Sequence, residues 1–152
     1  MTPAEISRRV VVDRLDLIAI LLAGIRVLPL DDRAAFFVDP RNTWAAESCL
    51  RRSLEALLDI GRHILAKGFG IGASEYKEIP LRLHEQAVLT AEEATLMRLF
   101  AGYRNRLVHF YHEVSPEELY DICVHHLSDI ERLQDAYRRW LNEHPEKLDS
   151  HL

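Results

Sequence analysis

The 152-residue chain has little of what builds disulfide-rich, membrane-spanning or secreted proteins. It contains two cysteines, Cys49 and Cys123, and both fall within apolar patterns. We therefore expect small buried side chains rather than a disulfide framework or a zinc site. The longest uninterrupted apolar run, residues 17–25, is too short to cross a bilayer. The first residues (MTPAEISRR) lack the apolar core of a secretion signal, so a cytoplasmic location is the default expectation.

An excess of positive charge is also lacking. The formal net charge is −5 at pH 7, so any binding of RNA would depend on a local basic site. With 152 residues, 48% of them hydrophobic, the chain is long enough for one self-sufficient core. We predict a single helical domain over residues 1–142 and a polar, frayed tail over residues 143–152.

Strand patterns are nearly absent, whereas apolar residues recur every three or four positions along four long segments. We predict long helices over residues 3–28, 42–67 and 116–142, a further long helix that begins at residue 90, and short ones over 33–37 and 76–89. Four long helices with short connections predict an all-α fold, an antiparallel up-down four-helix bundle with additional short helices. The third long helix is expected to turn six side chains toward the core: Leu96, Leu99, Phe100, Tyr103, Leu107 and Val108.

Helix ends carry recognisable signals. Thr90-x-x-Glu93 is a capping box, and Ser115 followed by Pro116 is typical of a helix start. Asn42 is a candidate N-cap for the second long helix. The glycines of segment 68–72 could suggest a phosphate cradle, but their spacing and context favour a C-cap and loop.

The most informative segment is RNRLVHFY, residues 104–111, at the end of the third long helix. Asn105 and His109 are four residues apart and share a helix face, so the amide can orient the imidazole ring. Arg104 and His109 are five apart and diverge by about 140° on a regular helix. They meet at one phosphate only if the helix ends near His109 or a second copy of the chain contributes. Arg106 points elsewhere, and Tyr111 lies on the face of Arg104 if the helix continues.

These side chains can carry metal-free cleavage of RNA. The guanidinium of Arg104 can fork onto phosphate oxygens and stabilise developing negative charge. The imidazole of His109 can move a proton near neutral pH. The nucleophile is the 2′-hydroxyl of the RNA itself. Although His109-x-x-His112 has the spacing of a metal-ligand pair, no complete ligand set accompanies it, and we expect no metal or other cofactor. Arg106 is interpreted as a solvated charge.

The pattern Arg104-x-x-x-x-His109-x-Tyr111 resembles the signature of HEPN-domain ribonuclease toxins of the HepT type. The segment AGYRNRLVHFY is similar to that family's "aGfRNxLVHxY", and LEALLDIGRHIL resembles its second long helix. The likeness spans roughly residues 10–135 and continues into the start of the last helix, at residues 118–122.

The resemblance implies a HEPN-like bundle that acts as the endoribonuclease toxin of a type VII HEPN/MNT module. Arg104 and His109 would be catalytic, with Asn105 and Tyr111 in support. The resemblance further implies a homodimer whose two motifs share a cleft. Its antitoxin would be an MNT-type nucleotidyltransferase that neutralises the toxin by attaching AMP to Tyr111. RNA is the expected substrate, with neither DNA nor a membrane as a partner.

Two other functions are compatible with the same residues. The bundle could be the non-catalytic nucleotide- or substrate-binding subunit of a split nucleotidyltransferase, in which Arg104 and His109 grip phosphate without cutting. It could also be a structural dimerisation bundle without a site. Growth arrest on expression alone would favour the toxin over a binding subunit.

Overall fold

A computed structural model describes residues 5–109 and 113–150, and the described chain is helical. The part that it describes contains seven α-helices and a short 3₁₀ turn at Pro145–Lys147. The helices are α1 (Arg8–Arg26), α2 (Arg33–Val38), α3 (Pro40–Phe69), α4 (Glu78–Glu85), α5 (Ala91–His109), α6 (Pro116–His125) and α7 (Leu127–Glu143). The all-α prediction with additional short helices is thereby confirmed. No helix in the described ranges is long and apolar enough to span a membrane.

Helix α3 is the centre of the bundle and contacts every other α-helix. Its apolar stripe is fully buried at the positions that the periodicity predicts: Leu50, Leu54, Leu57, Leu58, Ile64 and Leu65. A helix with such a stripe needs partners on several sides, because burial of the apolar side chains is its main source of stability. The elements that form the candidate site, α4 and α5, therefore both rest on α3.

Gly61 allows α4 to lie close against α3. A Cβ atom at this position would stand 2.7 Å from Ile79 Cγ2 and 2.8 Å from both Leu83 Cδ1 and Tyr137 Oη. Those distances are shorter than van der Waals contact, so only glycine fits without a shift of the neighbours. The close approach fixes α4, and with it the preceding loop over residues 70–77.

The predicted capping signals are present. Thr90 Oγ1 accepts from the Glu93 amide at 3.1 Å while Glu93 Oε1 accepts from the Thr90 amide at 2.9 Å. Ser115 Oγ accepts from the Glu118 amide at 3.1 Å, and Pro116 is the first residue of α6. Gly70 ends α3 with a φ of 66°, a left-handed conformation that suits glycine. The prediction that segment 68–72 contains a helix C-cap is confirmed, and the cap residue is Gly70.

Several helix boundaries differ from the prediction; α1 begins at Arg8 rather than near residue 3, and α4 covers Glu78–Glu85 rather than 76–89. Helix α3 begins at Pro40, and its N-cap is Asp39, whose carboxylate accepts from the Arg41 amide at 3.0 Å. Asn42 is not the cap; its amide donates to the Phe36 carbonyl at 3.1 Å and closes the end of α2. The predicted last helix is interrupted at His126, whose backbone leaves the helical region (φ −122°, ψ 4°).

Side-chain burial corrects two further expectations. Leu99 is 61% exposed and Val108 is 39% exposed, although both were expected to face the core.

The two cysteines are free thiols, Cys123 buried and Cys49 half-buried. Burial raises the pKa of the Cys123 thiol to about 12.

The segment expected to be a frayed tail is partly held in place. The Ile6 amide donates to the Lys147 carbonyl at 2.9 Å, and the Asp149 amide donates to the Ile6 carbonyl at 2.9 Å. Asp149 Oδ1 also accepts from the Arg8 amide at 3.1 Å, so it satisfies a backbone donor at the start of α1. The domain boundary at residue 142 stays a prediction.

Candidate active site at the end of helix α5

Arg104, Asn105 and His109 all line one cleft at the C-terminal end of α5. The cleft has a volume of about 540 Å³ and is also bordered by the loop before α4 and by Glu113. His109 is the last described residue of α5, and its side chain is exposed at the rim of the cleft. The model thus brings three of the four predicted site residues together. Tyr111 lies outside the described residues.

Arg104 is held by a carboxylate from the central helix. Its Nη2 donates to Glu55 Oε2 at 3.0 Å, and the two side chains are only 18% and 25% exposed. Glu55 also accepts from Arg51 Nη1 at 2.7 Å, one turn earlier on α3. A partly buried, charge-assisted bond of this kind is stronger than an exposed one, because water screens it less. The guanidinium is therefore oriented from outside its own helix.

The remaining donors of Arg104 are less well satisfied. Its Nη1 donates to Asn105 Oδ1 at 3.4 Å, a long bond, and its Nε is buried with no hydrogen-bond partner in the described structure. A buried donor without an acceptor costs about 1–3 kcal/mol. The buried Nε is out of reach of an incoming anion, but the two terminal nitrogens of Arg104 carry four N–H donors in all, and Glu55 and Asn105 each occupy one of them.

Tyr76, in the loop before α4, provides a flat surface for two guanidinium groups. The central carbon of Arg104 lies 4.7 Å from the ring centroid and that of Arg62 lies 4.8 Å from it. The Tyr76 hydroxyl donates to Asp59 Oδ1 at 3.0 Å. Burial, together with the negative charge of Asp59, raises the pKa of the phenol, so it stays protonated as a donor. Asp59 and Tyr76 thereby fix the platform on which Arg104 rests.

Arg106 is not the solvated charge that the sequence predicted, because its guanidinium is paired with acceptors of Glu113 and Glu118. Its Nη1 and Nη2 each donate to the Glu118 carboxylate at 2.8 Å, and Nη2 also donates to the Glu113 carbonyl at 2.8 Å. This fork raises the pKa of Arg106. Through its bonds to Glu118, Arg106 in the last described turn of α5 joins α5 to α6.

Asn105 is directed to Arg104 rather than to His109. Its side-chain oxygen accepts from Arg104 Nη1, and within the described ranges no hydrogen bond joins it to the imidazole. The expected orienting role toward His109 therefore stays a prediction. No group of three or more potential metal ligands occurs in the described part of the chain, and His112 of the proposed metal-ligand pair lies outside it.

Glu55, Tyr76 and Lys77 were not predicted as site residues. Lys77 is exposed and lines the same cleft. Glu55 lies 49 positions from Arg104, so no local spacing relates the two. The only signal available was indirect, because Glu55 falls within the segment LEALLDIGRHIL that carried the family resemblance.

Comparison with models of protein families shows which family the chain belongs to. The model for the family described as Ribonuclease HepT-like matches residues 20–136. The chain belongs to this family. The resemblance predicted from residues 104–111 is thus confirmed for this HepT-like protein. The comparison with curated proteins gives no match.

Solved structures show the same fold. The HepT-like chain is similar to the tri-AMPylated HEPN toxin of Shewanella oneidensis in complex with MNT antitoxin, with a TM-score of 0.77, 22% identity and coverage of 86% of this chain and 97% of that one. It is also similar to a toxin–antitoxin structure with AMP-PNP, with a TM-score of 0.76, 21% identity and coverage of 84% and 97%. The cytosolic protein of unknown function YutE from Bacillus subtilis matches with a TM-score of 0.71, 15% identity and coverage of 97% and 99%. The HEPN-like helical fold is therefore confirmed.

Proposed function

We propose that this HepT-like protein is the ribonuclease toxin of a HEPN/MNT toxin–antitoxin module, and that it cleaves RNA without a metal ion. One observation carries the proposal: Arg104 and His109 line the same cleft in a chain of the HepT-like ribonuclease family. The toxin role is supported by the similar fold of a HEPN toxin that was solved with its MNT antitoxin.

In the proposed reaction the 2′-hydroxyl of the RNA attacks the adjacent phosphorus. The bond from the 2′-oxygen to phosphorus forms, and the bond from phosphorus to the 5′-oxygen breaks. His109 accepts the proton of the 2′-hydroxyl or donates one to the departing 5′-oxygen. Arg104 binds the phosphate and stabilises its increased negative charge with the donors that Glu55 leaves unused. The products are a 2′,3′-cyclic phosphate and a 5′-hydroxyl, and no step needs a metal ion.

A homodimer would supply a second proton-handling group. One chain offers a single His109, whereas the reaction both removes a proton and delivers one. Two copies related by a two-fold axis, with their cleft residues facing each other, would place two histidines at one scissile phosphate. This arrangement also removes the difficulty that Arg104 and His109 diverge on a regular helix.

Control of the toxin is proposed to act through Tyr111. The similar Shewanella toxin is tri-AMPylated in its complex with MNT antitoxin. If an MNT-type nucleotidyltransferase attaches AMP to the Tyr111 hydroxyl, anionic phosphate enters the neighbourhood of Arg104. Negative charge there competes with the RNA phosphate for the same guanidinium.

The experiment that tests the catalytic proposal compares pure variants on total RNA in EDTA. His109→Ala and Arg104→Ala are expected to lower the cleavage rate by roughly 10²–10⁴-fold. His125→Ala is the matched control, because His125 is an exposed histidine at the end of α6 and should leave the rate unchanged. Circular dichroism confirms that each variant is folded.

Two results would decide against the proposal. Equal cleavage by His109→Ala and the parent would remove His109 from the mechanism. A parent protein that binds RNA or nucleotide but cuts nothing, and that does not arrest growth when expressed alone, would favour the non-catalytic subunit of a split nucleotidyltransferase.

A further inference from the structure

A second cavity continues from the active-site cleft along α5. It has a volume of about 380 Å³ and is lined by residues of α5 and by Lys77. Lys77, Gly102 and Arg106 line both this cavity and the cleft, so the two are contiguous. We call this second cavity the α5 groove. It begins where the cleft that holds Arg104 and His109 ends.

The α5 groove combines exposed apolar surface with cations. Leu99 is 61% exposed, and the ring of Tyr103 is half-buried beside it. Lys77 and Arg98 are exposed, and in the described ranges neither has a carboxylate within ion-pairing distance. Other arginines near the site do have one, Arg104 with Glu55 and Arg106 with Glu118. In a chain of net charge −5, two unpaired cations beside apolar surface fit a ligand that is itself anionic and partly apolar.

Gly102 provides a second, independent reason to infer that a ligand passes between the cleft and the α5 groove. It lies inside α5, where glycine costs roughly 1 kcal/mol relative to alanine. A Cβ atom there would meet only Lys77 Cε, at 3.9 Å, which is ordinary contact. Packing within the chain therefore does not require glycine. Its place on the boundary between cleft and groove indicates that the missing side chain keeps the passage open for a ligand.

We propose that the α5 groove binds a nucleotide of single-stranded RNA that lies one position beyond the two nucleotides flanking the scissile phosphate. The base lies against Leu99 and Tyr103, the neighbouring phosphate contacts Lys77 and Arg98, and the sugar–phosphate backbone passes over Gly102. Bases stack on aromatic and apolar side chains with little sequence preference, while cations follow the backbone. This inference rests on the proposed ribonuclease function and extends the substrate site beyond the reacting phosphate.

The test measures binding of fluorescein-labelled RNA in a His109→Ala background, which prevents cleavage. A dinucleotide occupies the cleft alone, whereas an octanucleotide also reaches the groove. Leu99→Asp and Arg98→Ala, which change the groove alone, are each expected to weaken octanucleotide binding by about tenfold and to change dinucleotide binding little. Gly102→Leu, at the boundary, is expected to weaken octanucleotide binding at least as much. Arg98→Ala should also reduce the dependence of octanucleotide affinity on salt concentration, because one phosphate contact is lost.

Matched controls separate the groove from general effects of charge and helix stability. Ile20→Asp replaces an equally apolar residue that is 68% exposed on α1, away from the groove, and should bind both RNAs like the background protein. Arg138→Ala removes an arginine of α7 that is already paired with Asp135 and should also have no effect. Gly102→Ala is the control for helix stability. It should raise the Tm of the protein, because alanine has a higher helix propensity than glycine.

The outcomes distinguish this inference from the proposed function. If the parent cleaves RNA and the groove variants bind the octanucleotide as the controls do, the inference is wrong and the function stands. If the background protein binds neither RNA and the parent cleaves none, the proposed function fails and the inference fails with it. If Leu99→Asp converts a dimeric parent to a monomer in light scattering, a second copy of the chain covers the groove, and the inference is overturned.

Discussion

Arg104 of α5 and Glu55 of α3 are joined by a 3.0 Å hydrogen bond that spans 49 positions of the sequence. Together with Tyr76, this bond fixes one edge and one face of the guanidinium. The side chain is thus oriented without any contribution from substrate. Preorganised donors are more effective in catalysis than mobile ones, because they need not be ordered as charge develops. Glu55 is in this sense a positioning residue for the proposed catalytic arginine.

The first prediction concerns Glu55. In Glu55→Ala the guanidinium loses its fixed orientation, so we expect the single-turnover cleavage rate to fall by about tenfold while RNA affinity changes little. Glu55→Gln retains an acceptor oxygen and should cause a smaller loss. Glu131→Ala is the control, because it breaks a comparable pair with Arg26 at 2.6 Å elsewhere in the bundle. Unchanged or faster cleavage by Glu55→Ala would contradict this role. It would show that the bond to Glu55 does not orient Arg104 for catalysis.

The second prediction concerns the nucleophile and the absence of a metal requirement. Because the attacking oxygen belongs to the RNA, cleavage should persist in EDTA and leave 2′,3′-cyclic phosphate ends that mass spectrometry can identify. A substrate with a 2′-deoxy residue at the cleaved position, and DNA of the same sequence, should remain intact. Abolition of cleavage by EDTA and its restoration by a divalent cation would contradict the mechanism.

The third prediction concerns the oligomer. Light scattering at micromolar concentration should give the mass of a homodimer, because one chain provides a single His109. Complementation is the sharper measurement. Mixing and refolding an Arg104→Ala chain with a His109→Ala chain should restore part of the cleavage that each variant lacks alone. A stable monomer with full activity would contradict the shared cleft.

The fourth prediction concerns Tyr111 as the modified residue. Coexpression with a neighbouring MNT-type nucleotidyltransferase should add AMP-sized mass increments that map to Tyr111. Tyr111→Phe keeps the ring and removes the acceptor oxygen, so it should be folded, unmodified and resistant to the partner. Tyr103→Phe is the matched control and should still be modified. A partner that silences an unmodified chain would act by binding alone.

The fifth prediction concerns stability and pH. The Arg139 guanidinium, with donors from Thr90, lowers the pKa of the Glu93 carboxyl from 4.5 to about 2. Because the folded-state pKa lies below the unfolded value, this stabilisation is complete above about pH 5 and is lost as the pH falls toward 2. Glu93→Gln should therefore lower the free energy of unfolding by about 2–3 kcal/mol at pH 7 and by much less near pH 2. Glu92→Gln, at an 80% exposed side chain, should change it little in denaturant titrations at either pH.

Local signals predicted the helix ends that depend on neighbouring residues. The capping box of Thr90 and Glu93 and the glycine end of α3 involve contacts within a few positions, which spacing alone reveals. The start of α3 was missed because the cap is Asp39, three residues before the predicted Asn42, whose amide bonds back to α2 instead. The break at His126 interrupts an apolar period that otherwise continues, so periodicity could not locate it.

The sequence predicted only those residues of the site that lie close together along one helix. Arg104, Asn105 and His109 are close in sequence, and the model places them in one cleft. The contacts of Arg104 with Glu55 and Tyr76 join residues far apart in the chain, and helical spacing contains no information about them. The same limit applies to Arg106, whose partner Glu118 belongs to the next helix.

The contact of Asp149 with the amide of Arg8 has a consequence for the order in which the protein is made. The start of helix α1, at Arg8, is synthesised 141 residues before Asp149, yet one of its free backbone donors receives its partner from that residue. The pairing of Ile6 with Lys147 and Asp149 likewise cannot form until both of those residues have been synthesised. A protease cut that removes residues 147–149 is therefore expected to loosen the start of α1, although the cut lies far from α1 in the sequence.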